Sequence, residues 1–104
     1  MEKVFVHELL VPKESEAEFL EGARQSGTFL RSLPGFVQGF LYEKKDGESR
    51  YNFMTIAVWE SEEAYENAKA TVALDYKQRG YDPQETAKRL RIERVQSTYE
   101  RSSY

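Results

Sequence analysis

A chain of 104 residues is long enough for one domain with a modest core and too short for two. Its formal net charge of -3 disfavours nucleic acid as a partner, because binding a polyanion requires a net basic face. With no Cys and one His, the sequence excludes disulfides and thiolate ligands and disfavours a dedicated transition-metal site.

Nothing in the sequence indicates a membrane or an export route. No apolar run approaches the roughly 18 to 20 residues that a membrane span requires. The N-terminal stretch MEKVFVHELLV lacks the charged, apolar and small-residue order of a signal peptide. We therefore expect a cytoplasmic protein that binds neither membranes nor nucleic acid.

The first two predicted elements are a strand and a helix. Residues 3–11, KVFVHELLV, are rich in β-branched and aromatic residues and stop at a proline, which is typical of a strand. Apolar residues then recur at helical spacing through residues 14–33. Ser15 followed by Glu18 predicts a capping box, in which both side chains accept hydrogen bonds from backbone N–H groups at the helix start.

A hairpin and a second helix are predicted next. The extended runs 36–45 and 50–59 are joined by a linker that contains Asp-Gly, a pair typical of hairpin turns. We expect these two strands to pair antiparallel. Ser61 is a candidate N-cap for the following helix, which should end at Gly80 because glycine readily ends a helix.

The last part of the chain predicts a short helical turn and a fourth strand. Asp82 and Pro83 can start the turn, since proline is favoured at the first helical position. Residues 89–99, RLRIERVQSTY, predict the strand. We interpret the basic residues around its start as a solvated strand edge; they are Lys88, Arg89, Arg91 and Arg94.

The element order is β-α-β-β-α-β, which predicts an α+β, ferredoxin-like fold with a four-stranded antiparallel sheet and both helices on one face. Two helices do not cover both faces of such a sheet. The strand 50–59 is nevertheless apolar on both sides, with Phe53 and Trp59 on one side and Ile56 and Val58 on the other. We infer that a second copy covers the free face, giving a homodimer through the sheet faces.

The stretch LPGFVQGFLYEKKDGESRYNFMTIAVWESEEAYENAK combines a Pro-Gly-Phe turn, a strand ending in Trp-Glu-Ser and a helix opening with Glu-Glu-Ala-Tyr. With its flanks it resembles, over residues 4–79, an antibiotic biosynthesis monooxygenase domain of the dimeric α/β-barrel superfamily. The resemblance implies one such domain over residues 1–104 and agrees with the fold and the dimer predicted above. That superfamily includes cofactor-free quinone-forming monooxygenases, haem-degrading enzymes, small isomerases and members without known activity.

The cofactor-free monooxygenases of this family build their pocket from four residues. These are an Asn on the third strand, the Trp that ends it, a Tyr in the first turn of the second helix and an Arg later in that helix. By resemblance, Trp59, Tyr65 and Arg79 are the matching catalytic candidates. A Trp offers a flat apolar wall, and an Arg favours an anionic substrate. The alternatives are that Trp59 and Tyr65 only pack and that Arg79 is a solvated cation in the last helical turn.

The family's Asn is replaced here. Thr55 stands at its position, four residues before Trp59, whereas Asn52 lies seven before it and so on the opposite face of the strand. The candidate substrate contacts are Thr55, Asn52 and Phe53. His7 shares a strand face with Phe5 and Leu9, so we expect it to be partly buried, either as a general base or as a hydrogen-bonded core residue.

Three functions remain open from the sequence. The first is a cofactor-independent monooxygenase that oxidises a phenolic, quinol-like or polyketide-type small molecule with O₂, without metal or organic cofactor. The second is a non-catalytic dimeric module that binds a small aromatic ligand or only assembles. The third is haem degradation, which would need Tyr76 or an unusual iron ligand, because the second helix has no His. A cavity on the order of a few hundred Å³ between sheet and helices would favour the first.

Overall fold

Four antiparallel strands form one sheet, and the helices cover one of its faces. The computed structural model describes residues 1–103. Its strands are β1 (Lys3–Leu10), β2 (Phe36–Glu43), β3 (Phe53–Trp59) and β4 (Glu93–Glu100). Its helices are α1 (Glu16–Arg31), α2 (Glu62–Arg79) and α3 (Pro83–Leu90), and a 3₁₀ turn, Lys13–Ser15, precedes α1. The strand order β2-β3-β1-β4 confirms the ferredoxin-like prediction, with α3 as an additional helix before β4.

The ends of α2 and α3 are set by the capping residues. The Ser61 hydroxyl accepts a hydrogen bond from the Ala64 N–H at 3.0 Å, which satisfies one free donor at the start of α2. Gly80 ends α2 with a φ angle of 66°, a left-handed conformation that glycine adopts without strain. Asp82 caps α3 by accepting from the Gln84 N–H at 2.9 Å. The predicted ends of α2 are confirmed, and α3 is longer than the short turn predicted there.

The start of α1 differs from the prediction. Ser15 does not cap the helix, because its hydroxyl is buried and donates to the Leu90 carbonyl at 2.8 Å. The Glu18 carboxylate pairs with Arg89 instead of reaching back to the helix start. The predicted capping box is therefore wrong. Both side chains attach the start of α1 to the end of α3.

The basic residues before β4 are not a strand edge. Lys88 and Arg89 form the last turn of α3, and Arg91 follows as its left-handed C-cap at φ 58. The strand begins only at Glu93, because the Asp82 cap starts a helix that continues through Leu90. Arg94 pairs with Leu9 of β1, and directly paired residues share a face, so Arg94 faces the helices. Lys88, Arg89 and Arg91 are exposed, as predicted, but they belong to α3 and its cap and not to a strand, and Arg94, on β4, is half-buried.

The two faces of the sheet are covered very differently. On the helix face, the ring of Phe53 packs against Phe19 of α1, and Trp59 packs against Ala68 of α2. On the other face, Phe40 and Tyr99 expose 50% and 54% of their surface. The pairing register confirms that β3 is apolar towards both sides.

The monomer is thin for its length. Its shortest extent is 18 Å, and its radius of gyration is 14.2 Å, compared with about 13 Å for a typical 100-residue domain. The reason is that helices are present on one side of the sheet only. The other side is an apolar surface that the described part of the chain leaves open.

Candidate active site

A cavity of about 870 Å³ lies between the helix face of the sheet and the three helices. All four strands contribute to its floor, and α1, α2 and α3 form its walls. Its volume falls within the roughly 300–1,000 Å³ of typical small-molecule sites. The space between sheet and helices is therefore not filled by side chains and is large enough for a polycyclic aromatic molecule.

A row of polar side chains crosses the floor of this cavity. Thr55 of β3 pairs with His7 of β1, and His7 pairs with Gln96 of β4. Directly paired residues share a face with their Cβ atoms about 4.5–5.5 Å apart, so the three side chains lie next to one another. The adjoining rows contribute Phe5 on one side and Leu9 on the other. The floor therefore offers hydrogen-bonding groups between apolar surfaces.

His7 has the most unusual environment in the cavity. Its Nε2 atom is buried and has no hydrogen-bond partner among residues 1–103. Burial, followed by the positive charge of Arg94, lowers the pKa of His7 to about 4. The imidazole is therefore neutral at neutral pH and has one donor and one acceptor nitrogen. The predicted partial burial of His7 is confirmed, and its ring is part of the cavity lining.

Trp59 and Tyr65 line the part of the cavity near the start of α2. Trp59 is 3% exposed and packs edge-on against Phe36, with ring centroids 5.4 Å apart. Tyr65 lies 6.2 Å from the ring of Phe5, and the Lys69 ammonium lies 5.7 Å from the Tyr65 centroid. Both aromatic residues thus belong to the core and also form the cavity wall.

Arg79 does not line this cavity. It lies beside a smaller cavity of about 300 Å³ between α1 and α2. Its Nε donates to Asp75 Oδ2 at 2.9 Å, and its guanidinium lies over the rings of Tyr76 and Tyr81 at 5.6 and 5.3 Å. Both tyrosines line the larger cavity as well, so Arg79 contacts two of its wall residues without lining it.

Asn52 and Phe53 also lie outside the larger cavity. The Asn52 amide donates to the Val11 carbonyl at 2.9 Å and accepts from the Val11 N–H at 2.8 Å. Both polar atoms of the side chain are therefore hydrogen-bonded to the main chain. Phe53 is buried between Phe19 and Leu9. Of the seven predicted site residues, the larger cavity brings together His7, Thr55, Trp59 and Tyr65.

Four residues of β4 line the cavity and were not among the predicted site residues: Arg94, Gln96, Ser97 and Thr98. Alternation along RVQST would have placed Arg94, Gln96 and Thr98 on one face, but the sequence does not indicate which face meets the helices. Tyr76 of α2 lines the cavity as well. Burial raises the pKa of the Tyr76 hydroxyl, which therefore remains protonated at neutral pH.

Residues 1–103 contain no cluster of three or more His, Asp or Glu side chains arranged to hold a metal ion. Within the same residues, no helix combines the length and apolarity needed to cross a membrane.

Comparison with known proteins gives one consistent similarity. The family model described as antibiotic biosynthesis monooxygenase matches residues 4–75. No curated protein matches the chain significantly in sequence. Among solved structures, SnoaB, a cofactor-independent oxygenase from Streptomyces nogalater, is 27% identical with a TM-score of 0.70, covering 99% of this chain and 95% of that chain. The haem-degrader MhuD from Mycobacterium tuberculosis is 18% identical with a TM-score of 0.70, covering 94% and 93%.

Proposed function

Because the chain belongs to the antibiotic biosynthesis monooxygenase family, we propose that it is a cofactor-independent monooxygenase acting on a phenolic, quinol-like or polyketide-type ring. The observation that carries the proposal is the cavity that His7, Thr55, Trp59 and Tyr65 line together. The likeness to SnoaB, which is a cofactor-independent oxygenase, supports the same reaction type.

The reaction requires only the ring and O₂. A phenol that has lost its O–H proton is electron-rich enough to donate electrons to O₂, and a ring carbon forms a C–O bond to give a hydroperoxide. The O–O bond then breaks as the hydrogen on that carbon leaves as a proton. One oxygen atom stays as a quinone carbonyl and the other leaves as water, so the phenol and O₂ give a quinone and H₂O. The protein must favour the phenolate and keep bulk water away.

Five residues of the cavity have a role in this scheme. The apolar surfaces of Trp59 and Phe5 hold the ring, and the neutral His7 ring accepts the phenol proton. A base whose pKa is near 4 gains basicity when a phenolate forms beside it, because the opposite charge stabilises imidazolium. Thr55 and Tyr65 orient the substrate oxygens by hydrogen bonding.

We also propose that the protein acts as a homodimer joined through the open sheet faces. Four large side chains of that face are about half exposed in the monomer: Phe40, Tyr42, Val95 and Tyr99. Burying a contiguous apolar surface of this kind is the usual driving force of obligate association. The active-site cavity lies on the opposite face of the sheet, so each protomer keeps its own site.

Oxygen uptake by metal-free protein tests the monooxygenase proposal. The substrates are a panel of hydroquinones and anthrone-type phenols, and the expected result is uptake without added cofactor, with one labelled atom from ¹⁸O₂ in the quinone formed from an anthrone-type phenol; simple oxidation of a hydroquinone to its quinone would release H₂O₂ and leave the quinone unlabelled. Thr55→Val and His7→Gln should slow the reaction. Thr71→Val, which alters an exposed threonine on the outer part of α2, should not. Uptake no faster than in buffer across the panel would contradict the proposal, and ring binding without uptake would favour the non-catalytic ligand-binding module.

Haem degradation is less well supported by the same cavity. The helix α2 carries no His, and the Tyr76 hydroxyl has a raised pKa, which disfavours the tyrosinate form that binds iron. The single His, His7, lies on β1. Titration with haemin tests haem binding, and a sharp Soret band that saturates at one haem per chain would support haem degradation instead.

A further inference from the structure

The charged groups around the cavity do not balance, although the chain as a whole is negative. The acidic side chains that line the cavity, Glu18 and Glu21, are already paired, with Arg89 and Arg24 respectively. Arg94 also lines the cavity, and it forms no ion pair and no side-chain hydrogen bond within residues 1–103. Two cavity guanidiniums, those of Arg94 and Arg31, therefore lack an anionic partner, and of these Arg94 also lacks a side-chain hydrogen bond within residues 1–103.

The position of Arg94 makes this unusual. The residue is half-buried on the helix face of β4, where it pairs with Leu9 and stands two residues from Gln96 on the same strand. A guanidinium has five N–H donors, and charged groups withdrawn from water are normally paired in native proteins. Arg31, another cavity residue, donates to the Gly39 carbonyl.

We propose that Arg94 is the anion-binding residue of this cavity and that the substrate is an aromatic molecule carrying an oxygen anion, a carboxylate or an acidic phenolate, which Arg94 holds beside the polar row. The aromatic part of this substrate is taken from the proposed function, whereas its anionic group is inferred from Arg94. An Arg-carboxylate pair can form two parallel hydrogen bonds, which also fixes the orientation of the ring. The cationic residue that binds the substrate would then be Arg94 on β4 and not Arg79 on α2, which is paired with Asp75.

The electrostatics around Arg94 agree with this assignment. Its charge contributes to the lowered pKa of His7 and acts on Tyr76 in the opposite wall. An anion bound to Arg94 would offset the part of the His7 pKa shift that comes from that charge, but not the larger part that comes from burial. The signal of the single His reports this change directly.

Binding of two matched probes tests the inference. The probes are 9,10-anthraquinone-2-carboxylate and its neutral carboxamide, quinones that resemble a product and need no turnover, and quenching of Trp59 fluorescence measures their affinity. The wild-type protein should bind the carboxylate roughly tenfold more tightly than the carboxamide. Arg94→Gln should abolish this preference while keeping the carboxamide affinity, and Arg94→Lys should retain part of it. Arg79→Gln is the matched control and should leave the preference intact.

Equal affinities for the two probes, no binding of either, or loss of the preference in Arg79→Gln rather than Arg94→Gln would overturn the inference. Because the probes are not oxidised, these results do not depend on oxygen uptake. A preserved carboxylate preference in a protein without uptake would defeat the monooxygenase proposal alone. Uptake together with an unchanged preference in Arg94→Gln would defeat the anion site alone.

Discussion

Replacing His7 with Gln should weaken the dependence of the free energy of unfolding on pH between about pH 7.5 and about pH 5. The pKa of His7 is about 4 in the folded chain, compared with 6.5 ordinarily, because burial and then Arg94 disfavour the imidazolium. Between these two values the unfolded chain binds a proton at His7 and the folded chain does not, so stability falls as the pH is lowered. From about pH 7.5 to about pH 5 this linkage removes about 2 kcal/mol from the free energy of unfolding. In His7→Gln that loss should be absent.

Urea denaturation of both proteins at the two pH values, at one fixed protein concentration, measures the difference. Paired carboxylates such as Glu18, Glu21 and Glu62, whose pKa values are lowered by their cationic partners, contribute alike to both proteins and cancel. Because the chain has a single His, its ring proton can also be titrated by NMR without further assignment. Equal losses of stability in wild type and variant, or a ring that titrates near 6.5, would refute the reasoning.

Three further substitutions separate structural roles from functional ones. Asn52→Ala should lower the free energy of unfolding by about 2 kcal/mol, because two hydrogen bonds to Val11 are lost, while probe affinity measured by fluorescence stays unchanged. Ser15→Ala should cost about 1 kcal/mol in the same denaturation assay, since the Leu90 carbonyl loses its buried donor. Phe40→Glu should convert a dimer to monomers in sedimentation velocity; an unchanged sedimentation coefficient would contradict the proposed dimer face.

Most of the fold could be predicted because its signals are local. Ser61 and Gly80 act within one turn of α2, so their residue types were sufficient to predict both helix ends. The Ser15 and Glu18 pair failed for the opposite reason. The spacing of these two residues fits a capping box. However, Ser15 bonds to Leu90, 75 residues along the chain, and Glu18 bonds to Arg89, 71 residues along, and local spacing carries no information about such distant groups.

The candidate site was less predictable, because a role there depends on what lies across the cavity. Alternation correctly placed His7 with Phe5 and Leu9, yet it did not reveal that Nε2 would lack a partner. Asn52 and Arg79 were selected by residue type and spacing, and the structure places their polar groups against Val11 and Asp75. Arg94 was assigned to solvent, because the end of α3 was predicted as strand and the face of β4 was unknown.

The sheet connects the proposed active site with the proposed dimer, because each of them uses one of its two faces. On the helix face the walls include small residues, Gly22, Ala23 and Ala68 among them, which leave room for a ligand and so reduce the apolar packing of each protomer. None of the large side chains in residues 1–103 is completely buried, as expected for a domain with an unfilled interior. The opposite face can supply the missing burial by joining two chains. A sheet that is apolar on both sides would thus let this domain keep a cavity on one face while the proposed dimer buries the other.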